Sequence, residues 1–383
     1  MRTILEPSLA RTRTRVIALC ASAAILMGTA CAAATRVIVT VDVESGGGYS
    51  LPDQVDTVCQ DGAACGLMEI ARMQRERKLS GTFLLNVYEY RAWGEGKMRE
   101  IVEKLQVSGQ DLGLHTHPGW AYDPARNGMR EYNLEEQTSI IREGIRLLSL
   151  WSGRPVVVHR AGDYAADERT LKALEANGLR VDSSLFWGHP ESRLTELGLP
   201  RNLPSSWGKL LQIPVTVYER KERPRLFSGV APALSSIRKI DVNWFVDEQE
   251  AKAAIDAVVD ADLPFLVVFL HSFTFLTGRT NDGVPVANRQ AQAIFSAILD
   301  RIAEKQLRVV TMHDLAAGNR EISAHQGADV VPVVDVQVSV PRYLWHAWRT
   351  REASVLIAIG AALISIFVLA ALAFARMRKV KPA

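Results

Sequence analysis

The chain has 383 residues, 48% of them hydrophobic and 23% charged, and a formal net charge of +3. This is the composition of a folded globular protein, long enough for two domains or for one α/β barrel of about 250 residues. The small net charge and the lack of a Lys/Arg run in the central region argue against a nucleic-acid-binding role.

In chain order, the N-terminus reads as an export signal. Arg2, Arg11, Arg13 and Arg15 precede the uncharged stretch 16–34, which ends in the small residues Gly28-Thr29-Ala30-Cys31-Ala32-Ala33-Ala34. Such a segment is a cleaved signal peptide or an uncleaved signal anchor. Val37 to Glu44 then predicts a strand whose period of two places Asp42 and Glu44 on one face. Gly46-Gly47-Gly48 opens a loop. Outside the signal region the cysteines are Cys59 and Cys65, an even pair that an exported chain can close into a small disulfide loop.

Leu67 to Lys78 predicts an amphipathic helix, Gly81 to Val87 a second strand and Lys97 to Val107 a helix. The next strand, Leu112 to His117, carries His115-Thr116-His117, and alternation points its two imidazoles to the same side. Two carboxylates and two imidazoles arriving on strand ends suit a divalent metal ion, with Zn2+ the best match. Leu134 to Trp151 is a long helix, and Pro155 to Arg160 an apolar strand ending in a charge. Asp167 to Asn177 is a helix stopped by Gly178.

Leu179 to Asp182 and Leu210 to Tyr218 follow as strands, Glu248 to Asp260 as a helix, Pro264 to His271 as an apolar strand, Ala291 to Lys305 as a helix and Leu307 to Met312 as a last strand. Near-continuous apolar strands alternating with helices predict a parallel α/β sheet. Asp42, Glu44, His115, His117, Arg160, Asp182 and His271 all fall at the C-terminal ends of strands, which favours a barrel with its active site at one mouth.

Asp329 to Pro341 reads as an extended linker. Ala353 to Ala375 is an uncharged apolar run, long enough to cross about 30 Å of hydrocarbon as a helix. Tyr343, Trp345 and Trp348 before it suit an aromatic belt outside, and Arg376, Arg378, Lys379 and Lys381 after it suit a basic cytoplasmic tail. The expected organisation is a signal at 1–34, a catalytic domain at 35–325, a juxtamembrane linker at 326–352, a transmembrane helix at 353–375 and a tail at 376–383. The domain would lie on the outer face of a bacterial cytoplasmic membrane.

At these residues the chain resembles the NodB-homology polysaccharide deacetylases, carbohydrate esterase family 4, over about residues 36–315. The family's Thr-Phe-Asp-Asp-Gly motif is matched loosely by Thr40-Val41-Asp42-Val43-Glu44. Its His-Ser/Thr-x-x-His motif is matched by His115-Thr116, but the usual second histidine position holds Gly119 and the second imidazole is His117. The Arg of the third motif is matched by Arg160, and the late strand ending in a catalytic His by Leu270-His271-Ser272. Leu171 to Ser184 resembles the stretch before the fourth motif.

The resemblance implies a distorted (β/α) barrel and a metal-dependent hydrolase that removes N- or O-linked acetyl groups from a cell-surface or exported polysaccharide. It implies Glu44 as metal ligand with His115 and His117, in place of the usual second Asp, which is Val43 here. Asp42 would then be the base, although the two carboxylates could exchange roles. Arg160 would orient Asp42, and His271 would be the general acid. Trp120, Tyr164 and Trp187 are candidates to bind substrate, and Trp207 and Trp244 also offer faces on which sugars stack.

His159 and His189 read as packing or surface residues, and Asp182 as serving the local turn with Ser183 and Ser184. Two other readings compete. One is a catalytically lapsed glycan-binding or assembly protein on the same scaffold. The other is an amidohydrolase-type enzyme, whose His-x-His ends the first barrel strand; here that strand carries Asp42 and Glu44 instead.

Overall fold

Strand β1, Arg36–Val43, shows why the strands read as apolar at nearly every position. In the computed structural model, which describes residues 35–226, 232–318 and 328–350, its two faces enter two different cores. Val37, Val39, Val41 and Val43 join a large cluster with the helices. Ile38 joins a smaller cluster with Leu84, Val158, Val181, Phe265, Val267 and Phe269, which fills the inside of a curled sheet. A parallel sheet buried on both faces leaves no polar side to alternate with.

The remaining strands are β2 (Thr82–Asn86), β3 (Asp111–Thr116), β4 (Val158–Ala161), β5 (Val181–Asp182), β6 (Ser205–Trp207), β7 (Leu210–Gln212), β8 (Val217–Pro224), β9 (Leu234–Lys239), β10 (Phe265–His271), β11 (Leu276–Arg279), β12 (Pro285–Ala287), β13 (Arg308–Val309) and β14 (Val333–Val338). The main sheet has the order β10-β1-β2-β3-β4-β5-β7-β6, with β13 also on β1. Its pairs are parallel except β6 with β7. Helices Leu67–Glu76, Glu95–Val107, Leu134–Ser152, Glu168–Ala176, Glu248–Asp260 and Arg289–Glu304 supply the outer layer.

Local sequence sets the limits of these helices. Leu134–Ser152 begins at Asn133, whose side chain accepts from the Glu136 backbone while Glu136 reaches back, and it ends at Gly153 with φ 67°. That is a capping box followed by a left-handed C-terminal stop.

The expected strand from Leu210 to Tyr218 is instead broken into β7 and β8, because Pro214 has no N–H to donate to a ladder. The segment between them helps to close the barrel without a regular strand. Ile240 donates to the Thr216 carbonyl at 3.1 Å, and Phe269 of β10 donates to the Ile240 carbonyl at 2.8 Å. Thr216 Oγ1 also accepts from Val267 N at 2.8 Å. The predicted barrel is thus present and distorted on this side.

The expected linker also needs correcting. Val333–Val338 is strand β14, paired in parallel with β8, which pairs antiparallel with β9. Val334, Val336 and Val338 are buried and the intervening residues exposed, a period-two pattern that makes this segment a half-buried strand. The helix Val340–Thr350 follows it. Cys59 and Cys65 form the expected disulfide. Among the described residues no helix is long and apolar enough to cross a membrane; the predicted signal at 1–34 and the predicted transmembrane run 353–375 lie outside them.

Candidate active site

Strand register brings the candidate residues together. Asp42 of β1 lies opposite His271 of β10, and His115 of β3 lies between Asn86 of β2 and Arg160 of β4. Asp42, Arg160 and His271 share strand parity with Ile38, Val158 and Phe269, so their side chains turn into the barrel mouth. His115 shares the parity of Gly113, where an added Cβ would fall 2.6 Å from Leu84 and 3.1 Å from Val158. The interior is therefore packed below the site and polar at its rim.

Glu44, His115 and His117 form one cluster, with candidate ligand atoms all within 4.8 Å of one another. Glu44 Oε2 is 2.7 Å from His117 Nε2 and 3.6 Å from His115 Nε2. His115 Nδ1 lies 2.9 Å from the Arg160 carbonyl, an acceptor that keeps the ring proton on Nδ1. Its Nε2 lone pair consequently faces the cluster, where that buried atom has no hydrogen-bond partner. A buried, preoriented imidazole nitrogen left unsatisfied beside a carboxylate and a second imidazole fits a divalent metal ion.

The two carboxylates have separate partners. Asp42 Oδ1 accepts from Arg160 Nη1 at 2.8 Å, and its Oδ2 is 3.8 Å from His115 Nε2. Arg160 is fully buried. It donates from Nη1 to Thr40 Oγ1, from Nε to the Ser183 carbonyl and from Nη2 to Ser183 Oγ, each at 3.1 Å. Glu44 is thus the carboxylate nearest both imidazoles, and Asp42 the one held by the buried Arg160.

Electrostatics follow the same division. Burial alone would raise the Glu44 carboxyl, but the charge on His117 and the 2.7 Å contact with its Nε2 hold it well below the usual carboxylate range. Burial lowers His117, and attraction to Glu44 overrides this, pushing it up to about 9. His271, 3.6 Å from Glu44 Oε1 and about a quarter exposed, is held below its ordinary value by burial, against the pull of Glu44. Its ring is fixed by Phe273, stacked at 4.6 Å, and by Phe269, edge-on at 4.8 Å.

A surrounding shell that motif reading missed holds these groups in place. Ser272 Oγ donates to the Glu44 carbonyl at 3.0 Å and accepts from Glu44 N at 3.2 Å, tying the end of β1 to the end of β10. Asn86 Oδ1 accepts from His117 N at 3.3 Å, while its Nδ2 donates to buried Glu89 at 3.2 Å. Gly162 closes over the His117 ring so tightly that an added Cβ would lie 2.4 Å from Nε2. The Asn127 side-chain amide is 2.7 Å from His117 Nδ1. These residues lie at a strand end or in turns and loops, with nothing in the sequence to separate them from ordinary turn residues.

Lys239 and Asp241 were also missed; they lie at and just past the end of the largely polar strand β9. Lys239 Nζ is 3.1 Å from Asp241 Oδ2, donates to the Tyr164 hydroxyl at 3.0 Å and sits 3.2 Å from the Phe269 ring centroid. Tyr164, expected to bind substrate, is only 6% exposed, and its ring is enclosed by Phe186, His189 and Phe269. It is a wall of the site and offers no open face for a sugar. Trp120 is 38% exposed and lies against Trp93. Trp187 is half-buried under the Arg201 guanidinium.

His159 and Asp182 are fully buried on the opposite strand parity. His159 bridges Thr116 Oγ1 and Asp182 Oδ1, and Asp182 accepts from both Ser184 N and Ser184 Oγ. The expectation of packing and turn roles holds for both.

No protein family and no curated protein matches this chain by sequence. Several solved structures are similar in fold. A Mycobacterium smegmatis protein assigned to the polysaccharide deacetylases is 18% identical with a TM-score of 0.49, the match covering 79% of this chain and 96% of that one. A family 4 carbohydrate esterase from Streptomyces lividans, in complex with acetate, is 12% identical with a TM-score of 0.38, covering 78% and 98%. A CE4 family pseudoenzyme from Bacillus anthracis is 11% identical with a TM-score of 0.41, covering 74% and 66%. At such scores these likenesses carry no weight in assigning an activity, which rests on the site itself.

Proposed function

We propose that this protein is a metal-dependent carbohydrate deacetylase that removes N- or O-linked acetyl groups from a cell-surface or exported polysaccharide. One observation carries the reading. At one barrel mouth the chain sets a carboxylate held by a buried arginine beside a separate carboxylate and two imidazoles, one of which has an unsatisfied, preoriented nitrogen. Glu44, His115 and His117 would hold a divalent ion, zinc being the best match to this donor set, and such an ion would supply the Lewis acidity that activates water and polarises an acyl carbonyl.

The protein's own groups divide the proton transfers. Asp42, fixed through Oδ1 by Arg160, keeps Oδ2 turned toward the cluster and takes the proton of the attacking water. His271 delivers a proton to the departing amine or alkoxide. Because burial holds His271 below its ordinary value, it must first receive the proton it donates, and the one abstracted by Asp42 is available. The partly open indole of Trp120 is the most exposed of the predicted sugar platforms. The polypeptide would be held at the outer face of a bacterial cytoplasmic membrane by the apolar run 353–375.

The test is acetate release from acetylated glucosamine oligomers and acetylated xylan, with zinc, cobalt or nickel supplied. Asp42→Asn and His271→Ala should each abolish release while retaining bound metal. A metal-loaded wild-type protein that binds these glycans and releases no acetate would instead establish the lapsed, glycan-binding reading.

A further inference from the structure

The helix Val340–Thr350 lies against the three-stranded sheet in a fixed pose. His346 Nδ1 is 2.7 Å from Glu222 Oε2 of β8, and the Tyr343 hydroxyl donates to the Pro232 carbonyl at 2.7 Å. Tyr343, His346 and Ala347 are buried on this side. The outer face presents large apolar groups, with Leu344 37%, Trp345 55% and Trp348 69% exposed. Isolated apolar residues on a surface need no explanation, but two neighbouring indoles on one helix do.

Between this helix and β9 opens a groove of about 710 Å³ lined by Arg238, Arg342, Arg349, Trp345, His346 and Glu222. Its one carboxylate is already engaged, since Glu222 pairs with buried Arg220 and with His346. Arg238, Arg342 and Arg349 have no carboxylate partner among the described residues. Arg349 lies over the Trp345 ring at 5.2 Å, and Arg238 over Trp244 at 5.5 Å, so aromatic faces hold the guanidiniums in place. Three guanidiniums converging on one groove match the oxygens of a phosphate. The indoles beside them suit the boundary between water and lipid, where an apolar body and a polar N–H are both accommodated.

We infer that this groove is a lipid-headgroup site that takes the phosphate of an anionic phospholipid and seats the second sheet against the bilayer surface. The occupant follows from charge complementarity and from the chain itself, because five residues after Trp348 the sequence enters the uncharged run Ala353 to Ala375. A soluble acidic polymer would satisfy the arginines and leave Trp348 and Leu344 without a partner. The inference rests on the reading of that run as a membrane segment.

The test uses the full chain with phosphatidylcholine vesicles containing a minor fraction of phosphatidylglycerol. Either lipid carries brominated acyl chains, and quenching of tryptophan fluorescence reports which lipid lies beside the helix. Stronger quenching by the brominated anionic lipid is expected, lost when Trp345→Phe and Trp348→Phe are combined. Arg342→Gln with Arg349→Gln, both exposed positions, should reduce the preference by roughly fivefold per arginine. Equal quenching by the two lipids in wild type overturns the headgroup site, even where the chain co-floats with neutral vesicles and the membrane segment stands. An arginine-dependent preference in a chain that fails to co-float with neutral vesicles supports the headgroup site and overturns the membrane segment. Full displacement of the anionic lipid by soluble polygalacturonate would overturn the lipid in favour of an acidic glycan.

Discussion

Proton release on metal binding tests the site most directly. His117 is pushed up to about 9 by its contact with Glu44, so at neutral pH it is an imidazolium in the metal-free protein. Metal ligation needs the neutral ring, and Glu44, held well below the usual range, has no proton to lose. Zinc binding should therefore expel about one proton from His117, and its apparent affinity should rise about tenfold per pH unit until pH passes about 9. At pH 7 the cost is about 2.7 kcal/mol relative to the alkaline plateau, two units at about 1.36 kcal/mol each. Calorimetric titration in two buffers of different ionisation enthalpy counts that proton, and the pH dependence of Kd gives the slope.

The stability of the metal-free protein must move the other way. A group whose folded value is raised adds stability that is fully present below its ordinary value of 6.5 and is lost as pH climbs toward about 9. The loss amounts to about 3 kcal/mol, visible as a falling Tm in metal-free protein only. No released proton at pH 7 together with a flat affinity profile would refute the Glu44–His117 pairing.

Three further outcomes follow from the surrounding shell and the cross-link. Gly162→Ala should cut metal affinity by more than tenfold with the fold intact by circular dichroism, because the added methyl occupies the space of the His117 ring; unchanged zinc affinity would show that the ring relaxes freely. Asn127→Asp, which gives His117 Nδ1–H a fixed acceptor in place of an amide, should strengthen zinc binding by about tenfold, the lower end of the effect of such outer partners, whereas Asn127→Leu should weaken it. Replacing Cys59 and Cys65 by Ser opens a loop with a sequence separation of 6 and should lower unfolding free energy by about 2 kcal/mol in urea titration.

The fold was legible where both periodicity and flanking signals agreed. The buried parallel strands, the helix Leu134–Ser152 with its Asn133 cap and the clustering of charge at strand ends all followed from short-range rules. Pro214 was visible but underweighted, and it split one expected strand in two. β14 was misread because its partner β8 lies more than a hundred residues earlier; Val333 to Val338 declares a strand by alternation, yet nothing local says that a sheet edge awaits it. The same distance problem hid Lys239 and Asp241, whose relation to Tyr164 and Phe269 exists only once the barrel closes.

The departures from the motifs that the sequence resembles form one coupled change. A carboxylate at position 43 would leave the site altogether, since Val43 is fully buried in the outer cluster with Val41 and Val39. A carboxylate at position 44 regains the parity of Asp42, lies just past the strand end and has the extra methylene to reach His117. Moving the second imidazole to His117 likewise gives it the parity of His115. The two rings lie 5.0 Å apart, edge to face, with Glu44 between their Nε2 atoms. Placing the two acids side by side should consequently fail. Val43→Asp with Glu44→Ala should bind no zinc and should unfold at lower temperature, because an unpaired carboxylate is forced into an apolar core. Glu44→Ala alone should lose zinc affinity and only the stability that pairing with His117 supplies, unfolding at a higher temperature than the double variant. If the double variant bound zinc as tightly as wild type, strand parity would not be what selects Glu44, and the assignment of Asp42 as base would fall with it.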